Sequence, residues 1–134
     1  MALLERIKHH EGLRSKVYKC TEGYDTIGYG FAIKDLELDE DIAEMILMRK
    51  LHLLMNRIQK TFNWWRSAED EVKNVVVEMC YQLGVSGFSK FKKTIDHLEH
   101  KRYGKASAEM LDSKWARQTP NRALELSNII KNLE

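Results

Sequence analysis

Residues 11 to 26 read EGLRSKVYKCTEGYDT. Three groups with chemistry stand in this stretch. The Glu11 carboxyl opens it, the Cys20 thiol follows, and the Thr26 hydroxyl closes it just ahead of Ile27-Gly28-Tyr29-Gly30. Before it, Leu3, Leu4 and Ile7 recur at helical spacing among charged neighbours, so residues 2 to 10 predict a helix. Gly12 is a natural stop, because glycine takes positive φ without a Cβ penalty. Glu11 therefore falls in a last helical turn, where exposed carbonyls disfavour the ionised carboxylate and favour a proton donor. After it, Leu13, Val17 and Tyr18 mark a strand ending at Cys20, and Thr21-Glu22-Gly23 has turn chemistry. Tyr24 to Ile27 is β-prone, and a third strand is expected over about Gly30 to Ile33. Four of the seven glycines fall between positions 12 and 30, which points to tight turns and open backbone where a ligand approaches.

The rest of the chain reads as helix. A long helix is expected from Leu38 to Phe62, with Asp39 as N-cap and Leu47, Leu51, Leu54 and Ile58 on one face. Met45, Met48 and Met55 read as adaptable core fillers. Trp64-Trp65 break the pattern and are expected in the core or at a lobe interface. Ser67 is the expected cap of a central helix carrying Val72, Val75, Val76, Met79 and Leu83, with Cys80 as a small buried hydrophobe and Gly84 as its end. Gly87 to Phe91 is a loop or helix start. Phe91, Ile95 and Leu98 lie on the next helix, which Tyr103-Gly104 divides from one carrying Ala106, Met110 and Leu111. Trp115 begins a short segment. Pro120, the only proline, suits the first turn of a last helix capped by Thr119.

Composition sets independent bounds. At 134 residues and 43% hydrophobic, the chain is long enough for one compact domain or two small lobes. Two cysteines, at 20 and 80, form no disulfide framework and show no zinc spacing, so reduced thiols made in a cytoplasm are expected. Charges at positions 5, 6 and 8 interrupt any apolar leader, and no run approaches the ~18 apolar residues of a membrane span. The net charge of +2 is uneven. Residues 35 to 44 hold six acids and no Lys or Arg, whereas residues 90 to 122 hold nine Lys/Arg and four Asp/Glu. The basic half fits an anionic partner such as cell wall, and no nucleic-acid-binding motif is visible.

Glu11, Cys20 and Thr26 at this spacing, followed by Ile-Gly-Tyr-Gly, resemble the catalytic signature of phage lysozymes of the T-even endolysin type, glycoside hydrolase family 24. That family carries Glu, then Asp or Cys, then Thr. Tyr81-Gln82-Leu83-Gly84 resembles its aromatic-Gln-Met/Leu-Gly segment. Residues 113 to 123, SKWARQTPNRA, resemble its C-terminal signature. The likeness covers nearly the whole chain. It implies an α+β, mostly α, lysozyme-like fold forming a single domain over 1–134. A small antiparallel sheet lobe (about 13–37) would be joined by a connecting helix (about 38–62) to a helical lobe (about 63–134, with the N-terminal helix).

The resemblance implies a muramidase that cuts the β-1,4 bonds between N-acetylmuramic acid and N-acetylglucosamine in bacterial peptidoglycan and so lyses the host. It would be made in the host cytoplasm and released to the cell wall through a membrane lesion formed by a separate holin. Glu11 would be the general acid. Cys20 would occupy the position where most sugar hydrolases place a carboxylate, and Thr26 would orient the water. Attack from the face opposite Glu11 would invert the anomeric centre. Arg122 would lie near Glu11 and steady it. Tyr81, Gln82, Thr94 and Trp115 would line or support the cleft, and Glu22 would contact sugar or pair with Lys114. Phe31 departs from the His that many relatives carry there, so stability should depend less on pH through that position. No cofactor or metal is called for, and a monomer is expected. Three alternatives stay open: a catalytically weak peptidoglycan-binding module, a thiol hydrolase pairing Cys20 with a histidine such as His9 or His10, and a lytic transglycosylase.

Overall fold

The computed structural model describes residues 2–134. Its elements run α1 (Ala2–Glu11), β1 (Arg14–Lys19), β2 (Asp25–Gly28), β3 (Phe31–Ala32), a 3-10 turn (Ile33–Asp35), α2 (Glu40–Thr61), a 3-10 turn (Trp65–Ser67), α3 (Asp70–Ser89), α4 (Lys92–Glu99), α5 (Tyr103–Leu111), α6 (Lys114–Gln118) and α7 (Pro120–Lys131). This is a mostly helical α+β architecture with one small antiparallel sheet, as expected. The chain forms two compact units, Met1–Glu44 and Met45–Glu134, and the boundary falls early in α2.

In the first unit the sheet has the order β1-β2-β3, every pair antiparallel. Tyr18 pairs with Thr26 and Lys19 with Asp25, and a bulge interrupts β1 between Arg14 and Tyr18. The sheet is too small to bury a core, and local contacts hold it. Arg14 lies 4.3 Å over the Tyr18 ring and Lys34 lies 3.8 Å over the Tyr24 ring. At exposed positions such contacts contribute ~0.5–1 kcal/mol each. Phe31 lays its ring on Gly28, where a Cβ would stand 2.6 Å from two ring carbons. The glycine before this turn is therefore fixed by the aromatic residue after it.

In the second unit α3 is the centre: Val72, Val75, Val76, Met79, Cys80, Val85 and Phe88 are all buried. Full burial of one such side chain contributes ~1.5–3 kcal/mol, so this run dominates the stability of the unit. An aromatic chain links the elements around it. Phe62 meets Phe88 edge-on at 5.6 Å, Phe88 stacks on Phe91 at 6.1 Å, and Phe91 meets the edge of Trp115 at 6.1 Å. Trp65 is buried and Trp64 packs on the same core, and Cys80 is a buried hydrophobe, all as expected.

Several local expectations are corrected. Ser67 does not cap α3. It lies in the 3-10 turn, its hydroxyl donates to the Trp64 carbonyl at 3.2 Å, and Glu69 is the N-cap. Extended backbone at Ala68 separates the turn from the helix. Gly84 does end the regular helix that begins at Asp70, as expected, but a second helical segment follows it directly. It adopts φ +77 as a single kink, after which helical geometry resumes to Ser89. Glycine permits that break without cost to a side chain, and Val85 and Phe88 draw the continuation back to the core. Thr119 is the N-cap of α7 as expected, but its hydroxyl donates backward to the Trp115 carbonyl at 3.0 Å and makes no capping bond. Met45 and Met48 are 66% and 64% exposed, not core fillers. Leu51, Leu54 and Ile58, later on α2, face the core.

Candidate active site

Glu11 is the last residue of α1. Gly12 takes φ +70 and its N–H closes the helix on the Lys8 carbonyl at 2.9 Å. The helix stops here because the next residue turns left-handed, and this sends the Glu11 side chain toward the β2–β3 turn. There its carboxylate lies against Gly30: a Cβ at Gly30, whose φ is +79, would stand 2.6 Å from Glu11 Oε2.

Cys20 and Thr26 meet across the β1–β2 hairpin. The Cys20 N–H donates to the Tyr24 carbonyl at 2.9 Å, the Gly23 N–H donates to the Cys20 carbonyl at 2.9 Å, and Gly23 has φ +84. The backbone at Tyr24 and then at Glu22, and after them the Thr26 hydroxyl, lie close enough to the sulfur to favour its ionised form. Together they hold the thiol below its ordinary range, against partial desolvation and the nearby Glu22 charge. Thr26 is 3% exposed and its hydroxyl donates to the Tyr24 carbonyl at 2.9 Å. That hydroxyl has one proton and two neighbouring acceptors, the carbonyl oxygen and the sulfur. Glu22 itself is exposed in the turn.

The remaining expected contacts lie in the second unit. Trp115 is buried and its indole N–H donates to Gln82 Oε1 at 2.9 Å. Ser113 caps α6, accepting from the Ala116 N–H at 3.1 Å, and so fixes the helix that presents Trp115. Thr94, 2% exposed, and Trp115 line one cavity of about 530 Å³. Tyr81 is half exposed beside Lys50 and Leu54. Arg122 is bound to Glu78, its Nε 2.8 Å from Oε2. The sequence reading missed three partners: the backbone around Cys20, the seat of Glu11 on Gly30, and Glu78. Only Gly30 left a signal, as a second glycine so close to Gly28.

For a metal, the described residues bring Asp96, Glu99 and His100 together on the exposed end of α4. Asp96 is already held there by Arg102 at 2.6 Å, and the His100 Nδ1 lies 2.8 Å from the Asp96 carbonyl. The cluster is an ion-pair network as it stands. No helix among the described residues is long and apolar enough to cross a membrane.

A mostly helical chain with one three-stranded antiparallel sheet, and with a carboxyl, a thiol and a hydroxyl on that sheet's unit, has the architecture of the lysozymes. The chain belongs to the phage lysozyme family, whose model, described as phage lysozyme, matches residues 8–128. It is similar to "Probable T4-type lysozyme 1" of Dictyostelium discoideum, with 26% identity over 159 residues, covering 97% of this chain and 94% of that protein. "Probable T4-type lysozyme 2" of the same organism is 24% identical with the same coverage. The "Pre-baseplate central spike protein Gp5" of Enterobacteria phage T4 is 28% identical over 164 residues, covering 97% of this chain and 28% of that protein. The chain is therefore a glycoside hydrolase, a lysozyme acting on peptidoglycan.

Proposed function

We propose that this lysozyme is an endolysin that hydrolyses the β-1,4 bond between N-acetylmuramic acid and N-acetylglucosamine, with Glu11 as general acid and Cys20 and Thr26 holding the attacking water. The observation that carries this reading is local. Glu11 rests on the turn that follows β2, and Thr26, on β2, neighbours Cys20 just past the end of β1. In the step, the Glu11 proton passes to the bridging oxygen as the bond to the anomeric carbon breaks. Water aligned by the Thr26 hydroxyl forms the new bond to that carbon and gives its proton to the Cys20 thiolate. Solvent then returns a proton to Glu11 and takes one from Cys20. The lowered thiol supports this role, because more of it is ionised at neutral pH than in a free cysteine.

Glu22, Tyr81, Gln82, Thr94, Trp115 and Arg122 are the proposed substrate contacts. We place the protein in the host cytoplasm before lysis, as a monomer of one lysozyme-like domain that a separate holin releases to the wall. The test is clearing of purified wall, followed by mass spectrometry of the fragments. Hydrolysis gives reducing N-acetylmuramic acid ends, each one water heavier than an anhydro product, and Glu11→Gln should clear ~10²–10⁴-fold more slowly. Anhydro ends would make the enzyme a transglycosylase. Equal clearing by Glu11→Gln would remove Glu11 as the acid.

A further inference from the structure

The last turn of α1 meets the β2–β3 turn at two points, and the hydrolytic step uses only one of them. Glu11 lies against Gly30. Lys8, one helical turn earlier, sets its ammonium group 5.7 Å from the centre of the Tyr29 ring. Residues three apart share a helix face, so Lys8 and Glu11 look the same way, and what they meet is two adjacent residues. Lys8 is also the residue whose carbonyl takes the Gly12 N–H that closes the helix.

Burial singles out the same side chain. Lys8 is the one partly buried residue of α1, and the rest of the helix, Leu3, Leu4 and Ile7 included, is exposed. Lysine is an uncommon choice for a covered position unless its charge has a partner. Glu5 stands 3.8 Å away and its side chain is 68% exposed, so that ion pair contributes little. The Tyr29 ring supplies the other partner, because the negative face of its π system attracts the cation. That ring is braced from behind. Tyr29 meets Phe31 edge-on at 6.5 Å, and Phe31 is packed on Gly28.

We propose that Lys8 is a positioning residue for the reaction: its contact with Tyr29 fixes the roll of the last turn of α1 on the β2–β3 turn and so holds the Glu11 carboxyl on Gly30. This rests on the reading of Glu11 as the general acid. In this role Lys8 neither contacts substrate nor moves a proton. Without its cation, α1 stays helical, but the carboxyl spends less time where it can donate. The contact itself bounds that loss, since an exposed cation–π contact shifts a population by about two- to fivefold.

The test measures kcat and KM on soluble, uncross-linked wall glycan. In the same proteins, NMR reads the nuclear Overhauser contact between Glu11 Hγ and Gly30 Hα, which is expected because Glu11 Cγ lies 3.8 Å from where a Gly30 Cβ would stand. Lys8→Met keeps the stem and loses the charge. It should weaken that contact and lower kcat about two- to fivefold with KM unchanged. Lys8→Arg should restore both, and Tyr29→Phe, which keeps the ring face, should stay near wild type. Tyr29→Leu should match Lys8→Met, and the two together should lose no more than either alone. Glu5→Gln should change neither readout. A Glu11–Gly30 contact that survives in Lys8→Met overturns the proposal whatever the rate. So do additive losses in the double variant, a raised KM at constant kcat, or an equal loss in Glu5→Gln. A weakened contact at an unchanged kcat would instead keep the positioning and remove Glu11 as the acid.

Discussion

The Glu11 carboxylate occupies the space that any side chain at position 30 would need, with Oε2 2.6 Å from where the Cβ of a residue replacing Gly30 would stand. Glycine is required there twice, by its φ of +79 and by this contact. Gly30→Ala should therefore cost about 1–2 kcal/mol in backbone strain and also displace the acid. A misplacement of about 1 Å at a reacting group can cost ~10²-fold in rate. Urea midpoints and wall clearing measured together separate the two effects. Clearing that stays at the wild-type rate would show that Gly30 does not seat a catalytic acid.

Cys20 sets a basic requirement on the reaction. Its thiol lies below the ordinary value of 9.0, because the backbone at Tyr24 and Glu22 and the nearby Thr26 hydroxyl favour the ionised sulfur. If the thiolate receives the proton of water, activity rises with pH toward that lowered value. In Cys20→Asp the replacing carboxylate is ionised above about pH 4. The rise should then move to acid pH and leave activity at neutral pH preserved or increased. The pH profiles of the two proteins check this, and an unchanged profile would take Cys20 out of the proton path.

Gln82 satisfies the buried indole N–H of Trp115 at 2.9 Å. Gln82→Leu leaves that donor without a partner and should cost ~1–3 kcal/mol, whereas Gln82→Glu keeps an acceptor and should cost less. Urea unfolding of the three proteins measures the order.

Burial pushes the Cys80 thiol up to about 12 from an ordinary 9.0. Between these values the unfolded chain has lost the proton and the folded chain keeps it. The contribution of Cys80 to stability is therefore complete below about pH 9 and is lost as pH rises toward 12. Wild type should lose stability across that window more steeply than Cys80→Ala, which also removes the smaller packing contribution at every pH. Parallel slopes of the urea midpoint against pH would contradict this.

Arg122 and Glu78 are 37% and 47% exposed, so their pair should contribute ~0–1 kcal/mol. A double-mutant cycle of Arg122→Met and Glu78→Gln measures that coupling. If Arg122 also contacts substrate, Arg122→Met should lower clearing far more than Glu78→Gln does. Equal losses would assign Arg122 to the ion pair alone.

Local rules read most of the fold correctly where one residue decides one angle. Gly12 ends α1, Pro120 begins α7, β1 and β3 fall within the expected strands, and β2 starts within its own and runs one residue past it to Gly28. They failed where two rules compete. Ser67 has the chemistry of a cap but sits in a 3-10 turn, and Gly84 stops one helix as expected but a second starts directly after it. For the candidate site, the sequence pointed to Glu11, Cys20 and Thr26 by spacing and resemblance. It did not show the backbone around the sulfur, because a backbone group has no letter of its own.

By itself, the sequence determined where helices and turns lie, through side-chain periodicity and the few residues that dictate φ. It also placed an acid at a helix end and a thiol and a hydroxyl on one hairpin. Tertiary structure alone decided what each group touches: Glu11 on Gly30, the indole of Trp115 on Gln82, and Arg122 on Glu78. The physical reason is range. Backbone preferences act within a few residues, whereas these contacts join positions 19 to 44 apart, set by how the elements pack.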